Sequence, residues 1–400
     1  MNIIIVGAGI SGLSLAWYLR KEFPQALITL IEASNRVGGW IETKKVHGFQ
    51  CERGPHSLRI APSVIAEFGL QDQLIKAHAT TKYLAYKGKL EPVPTGIFSL
   101  FTTILGRQCI KAFLQYPFRK KTYSDDETVS SYFESRFGAD FVATFIDPMM
   151  AGIYAALPSS LSYQAAFPKR TQTQQSIISF RDGLEVLPKR LAATLDADVR
   201  LNTQVLSWKE HSDSVEVVTS HGTLRGEYLF STIAAGDVAV KNSVATVSLG
   251  FHADLLRYPG FGFLASSREE QELLGVIFDS SIFPEQNSAY ATRLSVMLGG
   301  EKAPAIMQLH DDALQEKAVA ACKKYLGIEL APDAVDVSRA VDAIAAYSVG
   351  HNEKLKKIEM LQERSRIKFL GASLYGVSIA SCLERAEITA QLFAKNRVTS

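Results

Sequence analysis

The sequence predicts a mixed α/β and α+β protein, in which a domain with a parallel sheet is interleaved with a β-rich domain and a small helical domain. Two observations carry this prediction: a strand–helix–strand pattern at the N-terminus, and a strand-rich stretch in residues 199–297. The chain has 400 residues, whereas single hydrophobic cores stop growing at about 250–300 residues. No repeat or low-complexity linker separates the parts, so we expect the domains to interleave.

The N-terminal pattern begins with Asn2–Val6, a continuous β-branched run typical of a strand buried on both faces. A helix is predicted from Ser11 to Phe23 and a second strand from Ala26 to Glu32. This order predicts a parallel sheet with a right-handed crossover. The N-terminal strand follows no basic segment, which predicts no signal peptide. No stretch reaches the roughly 18 apolar residues of a spanning helix.

The rest of the chain divides into helical and strand-like stretches. Residues 124–150 are predicted to be helical in pieces, ending at Asp147-Pro148. Further helices are predicted at Leu314–Leu326 and Glu384–Ala394, and strands at Val199–Val205, Ser214–Thr219, Gly226–Thr232 and within 245–297.

Composition limits the classes of function. The chain is 47% apolar and 21% charged with a net charge of +2, which is ordinary for a globular protein and gives no overall field for nucleic acid. The four cysteines, at positions 51, 109, 322 and 382, form no CxxC pair. We therefore predict no metal site and no disulfide framework, and a reducing compartment.

A G-x-G-x-x-G motif, Gly7-Ala8-Gly9-Ile10-Ser11-Gly12, lies between the first strand and the first helix. Gly7 permits the tight turn, Gly9 lets the backbone approach a pyrophosphate, and Gly12 allows close packing of helix on strand. Glu32 ends the second strand about twenty residues further on, where a carboxylate accepts hydrogen bonds from ribose hydroxyls. The motif predicts a Rossmann-like dinucleotide site, but does not separate NAD from FAD.

The residues that follow the second strand favour FAD. Glu32-Ala33-Ser34-Asn35-Arg36-Val37-Gly38-Gly39 resembles the E-x-x-x-R-x-G-G run of the glutathione-reductase-like FAD oxidases, the amine oxidase superfamily. The resemblance implies that bound FAD lies beside Ala33, Arg36, Gly38, Gly39 and Trp40.

Three later segments resemble the same superfamily. Gly54, Pro55, His56 and Ser57 match the segment that passes the isoalloxazine, and the backbone of Val205 matches the residue that meets the adenine. Gly371 forms a turn, and Gly376, Val377, Ser378 and Ile379 open the last helix. A helix start aimed at the flavin would favour the anionic reduced form. Non-covalent FAD is expected, although Cys51 and Cys382 near these segments leave attachment open.

A narrower resemblance lies in the middle of the chain. The block Leu274-Gly275-Val276-Ile277-Phe278-Asp279-Ser280-Ser281-Ile282-Phe283-Pro284-Glu285-Gln286, with similar blocks at 179–188, 259–264, 293–300 and 346–351, resembles the protoporphyrinogen oxidase family. The resemblance implies six-electron oxidation of protoporphyrinogen IX to protoporphyrin IX in haem biosynthesis, with dioxygen or another electron acceptor. It implies that Leu264, Ile277 and Met297 clamp the ring.

The substrate residues also admit plainer interpretations. Lys82 aligns with an arginine that pairs with a propionate, and lysine keeps the charge but not the bidentate fork. Surface solvation for Lys82 and ordinary core packing for the three apolar residues stay open. No catalytic side chain is assigned, because the flavin carries the chemistry, and Asp147, Gly152 and His351 receive no role.

The resemblance also implies domain boundaries and a membrane surface. They are residues 1–80, 180–235 and 365–400 for an FAD-binding domain, 81–94, 166–179 and 236–364 for a substrate-binding domain, and 95–165 for a helical membrane-associating domain. Within the last, Gly96–Phe118 is apolar and aromatic with interspersed basic residues, followed by Arg119-Lys120-Lys121. Such a segment suits an anionic bilayer face, so we expect a cytoplasmic protein peripheral on the inner face of the cytoplasmic membrane. The alternative is a buried helix pair.

Three other functions remain open at this point. They are a coproporphyrinogen III oxidase, a more distant flavin amine oxidase or carotene desaturase, and a flavin-bearing scaffold without turnover. The sequence also leaves open a homodimer and a contact with ferrochelatase.

Overall fold

A computed structural model describes residues 1–46, 48–119, 125–168, 175–233, 238–286 and 289–398. In chain order, the strands in this part of the chain are Asn2–Val6 (β1), Leu27–Ile31 (β2), Thr43–Val46 (β3), Phe49–Glu52 (β4), Leu74–Lys76 (β5), Lys82–Tyr86 (β6), Lys89–Pro92 (β7), Ile178–Phe180 (β8), Asp198–Arg200 (β9), Val205–Glu210 (β10), Val215–Thr219 (β11), Gly222–Gly226 (β12), Tyr228–Ser231 (β13), Val240–Phe251 (β14), Gly262–Ala265 (β15), Leu273–Ile277 (β16), Thr292–Gly299 (β17), Ala334–Ala346 (β18) and Ile367–Phe369 (β19).

The α-helices, also in chain order, are Ile10–Glu22 (α1), Pro62–Glu67 (α2), Ile97–Thr102 (α3), Ile104–Gln115 (α4), Val129–Phe137 (α5), Ala139–Phe141 (α6), Asp147–Tyr154 (α7), Tyr163–Ala166 (α8), Val186–Thr194 (α9), Asp279–Ile282 (α10), Asp311–Leu326 (α11), His351–Glu363 (α12), Ala372–Tyr375 (α13) and Ile379–Val398 (α14).

The first layer is a five-stranded parallel sheet in the order β19-β13-β1-β2-β9. Ile3 and Ile5 face one core together with α1 and α14, while Ile4 and Val6 face a second core with the three-stranded sheet β10-β11-β12. Because β1 is covered on both faces, every position from Ile3 to Val6 is buried. This explains the continuous apolar run in the sequence.

The second layer is a seven-stranded sheet in the order β18-β14-β17-β16-β15-β6-β7. One of its faces packs Phe263, Val276 and Val296 against helix α11, which contributes Leu314 and Ala318. The pairs between its strands are antiparallel except for β15 with β6, which is parallel. Strands β6 and β7 come from far earlier in the chain than β14 to β18, so the two layers are interleaved in sequence.

The mixed α/β fold class is confirmed, and two local predictions are wrong. The strand predicted at Val199–Val205 is two strands, because Asn202 adopts a left-handed φ of 53° and turns the chain between β9 and β10. The helical stretch does not end at Asp147-Pro148; these residues begin α7, where proline at the first positions loses no hydrogen bond. A π-helical turn, Val142–Ile146, leads into this start.

The helical part includes α3 to α7; helix α4 contacts the edge strand β7, and α7 lies against β15 and β16 of the seven-stranded sheet. Helices α3 and α4 meet at Gly106, where a Cβ atom would lie 2.3 Å from the carbonyl oxygen of Ser99. None of the helices in the described part of the chain is long and apolar enough to span a membrane. Lys120 and Lys121 of the predicted basic cluster lie outside the described residues.

Candidate dinucleotide and substrate site

The turn between β1 and α1 is built for close backbone approach. Gly7 has a φ of +96°, and a Cβ atom there would lie 2.2 Å from Oγ1 of Thr232. A Cβ atom on Gly12 would lie 1.9 Å from the carbonyl oxygen of Gly7. Gly9 caps α1 without a side-chain hydrogen bond, and the first turn, which includes Ile10 and Ser11, holds no acid. The first N–H groups of the helix are therefore presented to an anion.

Two more glycine segments stack on this turn. The N–H of Gly38 donates to the carbonyl of Ala8 at 2.8 Å, and a Cβ atom on Gly39 would lie 3.2 Å from Cα of Gly9. A Cβ atom on Gly54 would lie 1.8 Å from the carbonyl oxygen of Trp40. The structure thus brings together residues 7–12, 38–40 and 54–57 as one path lined by backbone, which we call the glycine path.

Glu32 holds the far end of the glycine path. Its carboxylate accepts hydrogen bonds from the N–H of Ala8 at 2.8 Å and from the N–H and hydroxyl of Ser34 at 2.9 and 2.8 Å. A carboxylate has about four acceptor positions, so these described donors leave one for a ribose hydroxyl. Val205 is partly buried at the start of β10, close to Glu32 because the N–H of Thr203 donates to the Glu32 carbonyl.

Arg36 is fixed by the loop that follows it. Its guanidinium donates to the carbonyls of Ile41 and Gly39 at 3.1 and 2.6 Å and pairs with Glu42 at 3.3 Å and Glu185 at 3.9 Å. Arg36 therefore shapes the segment of Gly38 and Gly39, while Ala33 beside it stays exposed.

A second helix begins beside the first. Ser11 of α1 lies against Cys382 of α14, and Phe23 and Phe393 meet edge to face at 5.5 Å. The two helices therefore run parallel, with adjacent N-termini. The first turn of α14 holds no acid, and the hydroxyl of Ser378 accepts from the N–H of Ser381.

The turn before α14 is held by residues that follow strand β18. Gly371 and Gly376 have φ values of +118° and +131°, which favour glycine. The hydroxyl of Tyr347 donates to the carbonyl of Ala372, and Nε2 of buried His351 lies 3.0 Å from the carbonyl oxygen of Leu374. Val377 and Ile379 pack behind this turn. His351, which received no role from the sequence, helps to hold the turn.

The register of the seven-stranded sheet brings the four predicted substrate residues to one face. Leu264 is opposite Gly275, which is opposite Met297. Gly262 is paired with Lys82 on one side and with Ile277 on the other. Because paired residues, and residues two apart along a strand, share a face, Lys82, Leu264, Ile277 and Met297 all lie on the face away from α11. We call this the substrate face.

Helix α7 lies over the substrate face. A Cβ atom on Gly152 would lie 2.7 Å from Cδ2 of Leu264, so glycine at this position lets α7 pack closely on Leu264. Leu264 and Met297 are only partly buried. Lys82 is largely exposed, and partial burial together with the charge of nearby Arg59 lowers the pKa of its ammonium group.

A group of buried ionisable residues lies between the glycine path and the substrate face: Glu52, His56, Asp279 and Arg293, each with less than a tenth of its surface exposed. Nδ1 of His56 lies 2.7 Å from Oδ1 of Asp279, and Oδ2 of Asp279 accepts from the hydroxyl of Ser295 at 2.8 Å. Glu52 accepts from the N–H of Leu184 and the hydroxyl of Thr43. We call these four residues the buried charge cluster.

The members of this cluster shift one another's pKa. Burial raises the pKa of Glu52 to about 7. Burial opposes the charges of His56 and Asp279, but their mutual attraction prevails and raises the pKa of His56 while it lowers that of Asp279. The pair is therefore ionised, and Ser295 and Arg293 also favour the carboxylate.

Sequence reasoning missed most of this cluster. Asp279 and Arg293 lie in blocks that carry the family resemblance, but neither these two residues nor Glu52 received a role. The available signal was a charged residue inside or directly after an apolar strand. His56 was predicted only as a flavin contact. The described residues contain no group of three or more potential metal ligands.

The thiols near the site are buried and uncharged. Burial raises the pKa of Cys51 to about 12 and also raises that of Cys382. A thiolate is the reactive form of cysteine, so neither residue is poised for attachment to a cofactor. The backbone cradle, the two helix N-termini and the carboxylate of Glu32 together fit a dinucleotide that is held without a covalent bond.

Comparison with known proteins also indicates a flavin-binding protein. The sequence profile of the flavin-containing amine oxidoreductases matches residues 10–392. The chain is 26% identical to a protoporphyrinogen oxidase of Bos taurus and 26% identical to a coproporphyrinogen III oxidase of Bacillus subtilis, covering 96% of both chains in each case. A solved structure from Exiguobacterium sp., assigned provisionally as a protoporphyrinogen oxidase, is 25% identical with a TM-score of 0.87 over 99% of each chain.

Replacing Gly12 with alanine should remove the dinucleotide. The new Cβ atom would lie 1.9 Å from the Gly7 carbonyl oxygen, so the turn must open. We expect the amount of flavin retained per chain after desalting to fall about tenfold or more, since each 1.4 kcal/mol costs a factor of ten. Gly96→Ala is the control, because a Cβ atom there meets nothing within 4 Å. Full flavin retention by Gly12→Ala would contradict this account.

Glu52→Gln should change how stability depends on pH. The pKa of Glu52 in the folded protein is about 7, which is above its ordinary value in an unfolded chain. The folded state therefore keeps this proton to a higher pH than the unfolded state does. As pH rises from the unfolded-state pKa to the folded-state pKa, the free energy of unfolding falls. The variant should equal the wild type near pH 5 and exceed it by on the order of 1–3 kcal/mol near pH 8.

Urea unfolding at both pH values measures this difference, with exposed Glu67→Gln as the control. A difference that is the same at both pH values would show that Glu52 is not the titrating group.

Proposed function

Because the chain belongs to the family of flavin-containing amine oxidoreductases, we propose that it oxidises protoporphyrinogen IX to protoporphyrin IX in haem biosynthesis. Membership confirms the predicted FAD cofactor and oxidoreductase class. The observation that carries the proposal is the substrate face, where Leu264, Ile277 and Met297 lie together across three adjacent strands beside the glycine path. A porphyrinogen is a large, flat, apolar ring, and such a face fits it.

The side chains of the site bind and orient the substrate. Leu264, Ile277 and Met297 hold the ring and exclude water, and the flexible thioether of Met297 adapts to its surface. Lys82, with Arg59 close by, pairs with propionates at the edge. Bound FAD would accept two electrons at a time, so the six-electron oxidation would take three reduction cycles of the cofactor. Dioxygen is the proposed acceptor of the electrons from FAD.

The cofactor contacts that we propose lie along the glycine path, around Glu32 and at the start of α14. They are Gly7, Gly9, Ile10, Ser11, Gly12, Glu32, Ala33, Arg36, Gly38, Gly39, Trp40, Gly54, Pro55, His56, Ser57, Val205, Gly371, Gly376, Val377, Ser378 and Ile379. The proposed domains are residues 1–80, 180–235 and 365–400 for FAD, 81–94, 166–179 and 236–364 for the substrate, and 95–165 for the membrane.

A second candidate is oxidation of coproporphyrinogen III, which carries more propionates. Two observations support it. The named coproporphyrinogen III oxidase is as similar to this chain as the named protoporphyrinogen oxidase. Arg59 also lies near enough to Lys82 to lower its pKa, so the edge of the substrate face offers two cations.

The two porphyrinogens separate these candidates. Each is added to the holoenzyme without oxygen, air is then admitted, and porphyrin fluorescence is followed. The proposal expects faster formation of protoporphyrin IX than of coproporphyrin III. A reversed preference would favour the second candidate, and no gain with either would overturn both.

We also propose that helices α3 and α4 rest on an anionic membrane surface at the cytoplasmic face. Five of their apolar side chains are more than half exposed: Ile97 at 80%, Phe98 at 85%, Phe101 at 67%, Phe113 at 58% and Leu114 at 69%. Arg107 and Lys111 are exposed on the same helix pair. This exposure disfavours the alternative of a buried helix pair, and basic residues beside aromatic ones suit headgroups.

Lys82→Met should raise KM for the porphyrinogen about two- to fivefold with little change in kcat, because an exposed ion pair contributes up to about 1 kcal/mol. Lys82→Arg should keep or lower KM, since the guanidinium can bind a carboxylate through two hydrogen bonds. Steady-state kinetics measures both, with exposed Lys89→Met as the control. An equal KM for all three variants would exclude Lys82 from substrate binding.

Phe98→Glu should weaken binding to anionic vesicles about tenfold or more, because burial of a phenylalanine contributes about 1.5–3 kcal/mol and the new charge is repelled. Co-sedimentation at low salt measures the bound fraction. Leu361→Glu is the matched control, since Leu361 is 76% exposed on another helix. Recovery of the wild-type protein in the supernatant would contradict the membrane proposal.

A further inference from the structure

The buried charge cluster has a position that ordinary core packing does not explain. Asp279 follows β16 of the seven-stranded sheet, and His56 lies on the glycine path two residues after Gly54. The ion pair at 2.7 Å therefore joins the two halves of the site. Burying two charges is costly unless they are paired and hydrogen-bonded, so a buried pair at this junction calls for a reason.

The geometry fixes one edge of the His56 ring and leaves the other available. Nδ1 faces the Asp279 carboxylate, and Asp279 is itself held by the hydroxyl of Ser295. Nε2 makes no hydrogen bond to any residue that the structure describes. Ser295 is directly opposite Ile277, so the pair of His56 and Asp279 lies where the glycine path meets the substrate face.

We propose that His56, positioned by Asp279, is a fixed cation that favours the negatively charged reduced state of the bound flavin. A charge held in a water-poor site acts more strongly than one in water, and it costs no reorganisation when the cofactor becomes negative. Asp279 is a positioning residue, because it keeps the imidazole oriented and charged. The inference rests on FAD binding and not on the identity of the porphyrinogen.

The remaining groups around His56 determine how it responds to pH. Glu52 on β4 and Asp279 on α10 favour the imidazolium, whereas Arg293 on β17 opposes it. With Glu52 near its titration range around neutral pH, protonation of Glu52 leaves the cluster with a net positive charge. Removing Asp279 would lower the pKa of His56 towards or below its ordinary value of about 6.5.

The test is the midpoint potential of the flavin in the holoenzyme, measured by equilibration with a redox dye from about pH 6 to about pH 9, a range that spans histidine titration. His56→Gln keeps a polar side chain and loses the charge. We expect its oxidised-to-reduced ratio at a fixed potential to rise about tenfold. For a two-electron couple this corresponds to a midpoint potential that is lower by about 30 mV. Asp279→Asn should show a potential that falls further as pH rises and His56 loses its proton.

Two further variants keep the test decisive. His78→Gln is the matched control, because His78 is also paired with a carboxylate, that of Glu285 at 2.6 Å, but on the surface; its potential should equal the wild type. Ser295→Ala removes one hydrogen bond to Asp279 and should lower the potential by less than Asp279→Asn does.

If His56→Gln fails to retain FAD, Asp279→Asn and Ser295→Ala decide. A wild-type potential in the FAD-loaded variants would overturn the inference and leave a purely structural pair. That result would leave the proposed porphyrinogen oxidation intact, because turnover is measured separately.

Discussion

The rest of the site depends on how closely backbone segments approach one another at three glycines. A side chain on Gly12 would collide with Gly7, one on Gly39 would press on Gly9, and one on Gly54 would collide with Trp40. These contacts stack three distant segments into one path that ends at His56. Because the path is lined by backbone, its hydrogen-bonding groups and the N-termini of α1 and α14 are left to face a phosphate or a flavin. The shape of the dinucleotide half of the site is thus set by these close backbone contacts, and not by charged side chains.

The substrate half depends on a different constraint, the register of the seven-stranded sheet. A slip of one residue in any pairing would turn Leu264, Ile277 or Met297 towards α11 and into the core of the sheet. The bulge between Leu273 and Gly275 is part of this register, since it sets which residue of β16 meets Met297. The cluster of Glu52, His56, Asp279 and Arg293 joins the two halves, so a single buried ionic network links cofactor and substrate positions.

The sequence was informative where one local pattern determines one local structure. The glycine motif, the buried strand Asn2–Val6 and Glu32 could be predicted because their spacing has few structural solutions. The break between β9 and β10 could not, because the left-handed conformation of Asn202 belongs to one residue in an otherwise apolar run. The start of α7 at Asp147 was mistaken for an end, since proline is found both after helices and at their first turn.

The ionic network was hidden from the sequence for a physical reason. His56 and Asp279 are far apart in the chain, and their pairing follows only from the docking of the glycine path on the seven-stranded sheet. The apolar and basic composition of helices α3 and α4 could be recognised in the sequence. Only the structure distinguishes an exposed helix face from a buried helix pair. The residue types in the sequence therefore indicated the chemistry of the site. Which residues pair with one another depends on the topology of the fold and could not be predicted from the sequence.

The central claim is that a dinucleotide on the glycine path exchanges electrons with a porphyrinogen on the substrate face. Rapid mixing of the oxidised holoenzyme with one equivalent of protoporphyrinogen IX, in the absence of oxygen, tests it most directly through the flavin absorbance band. The account predicts that the oxidised flavin band bleaches in a single exponential phase. A flavin that stays oxidised while the porphyrinogen is bound would contradict it.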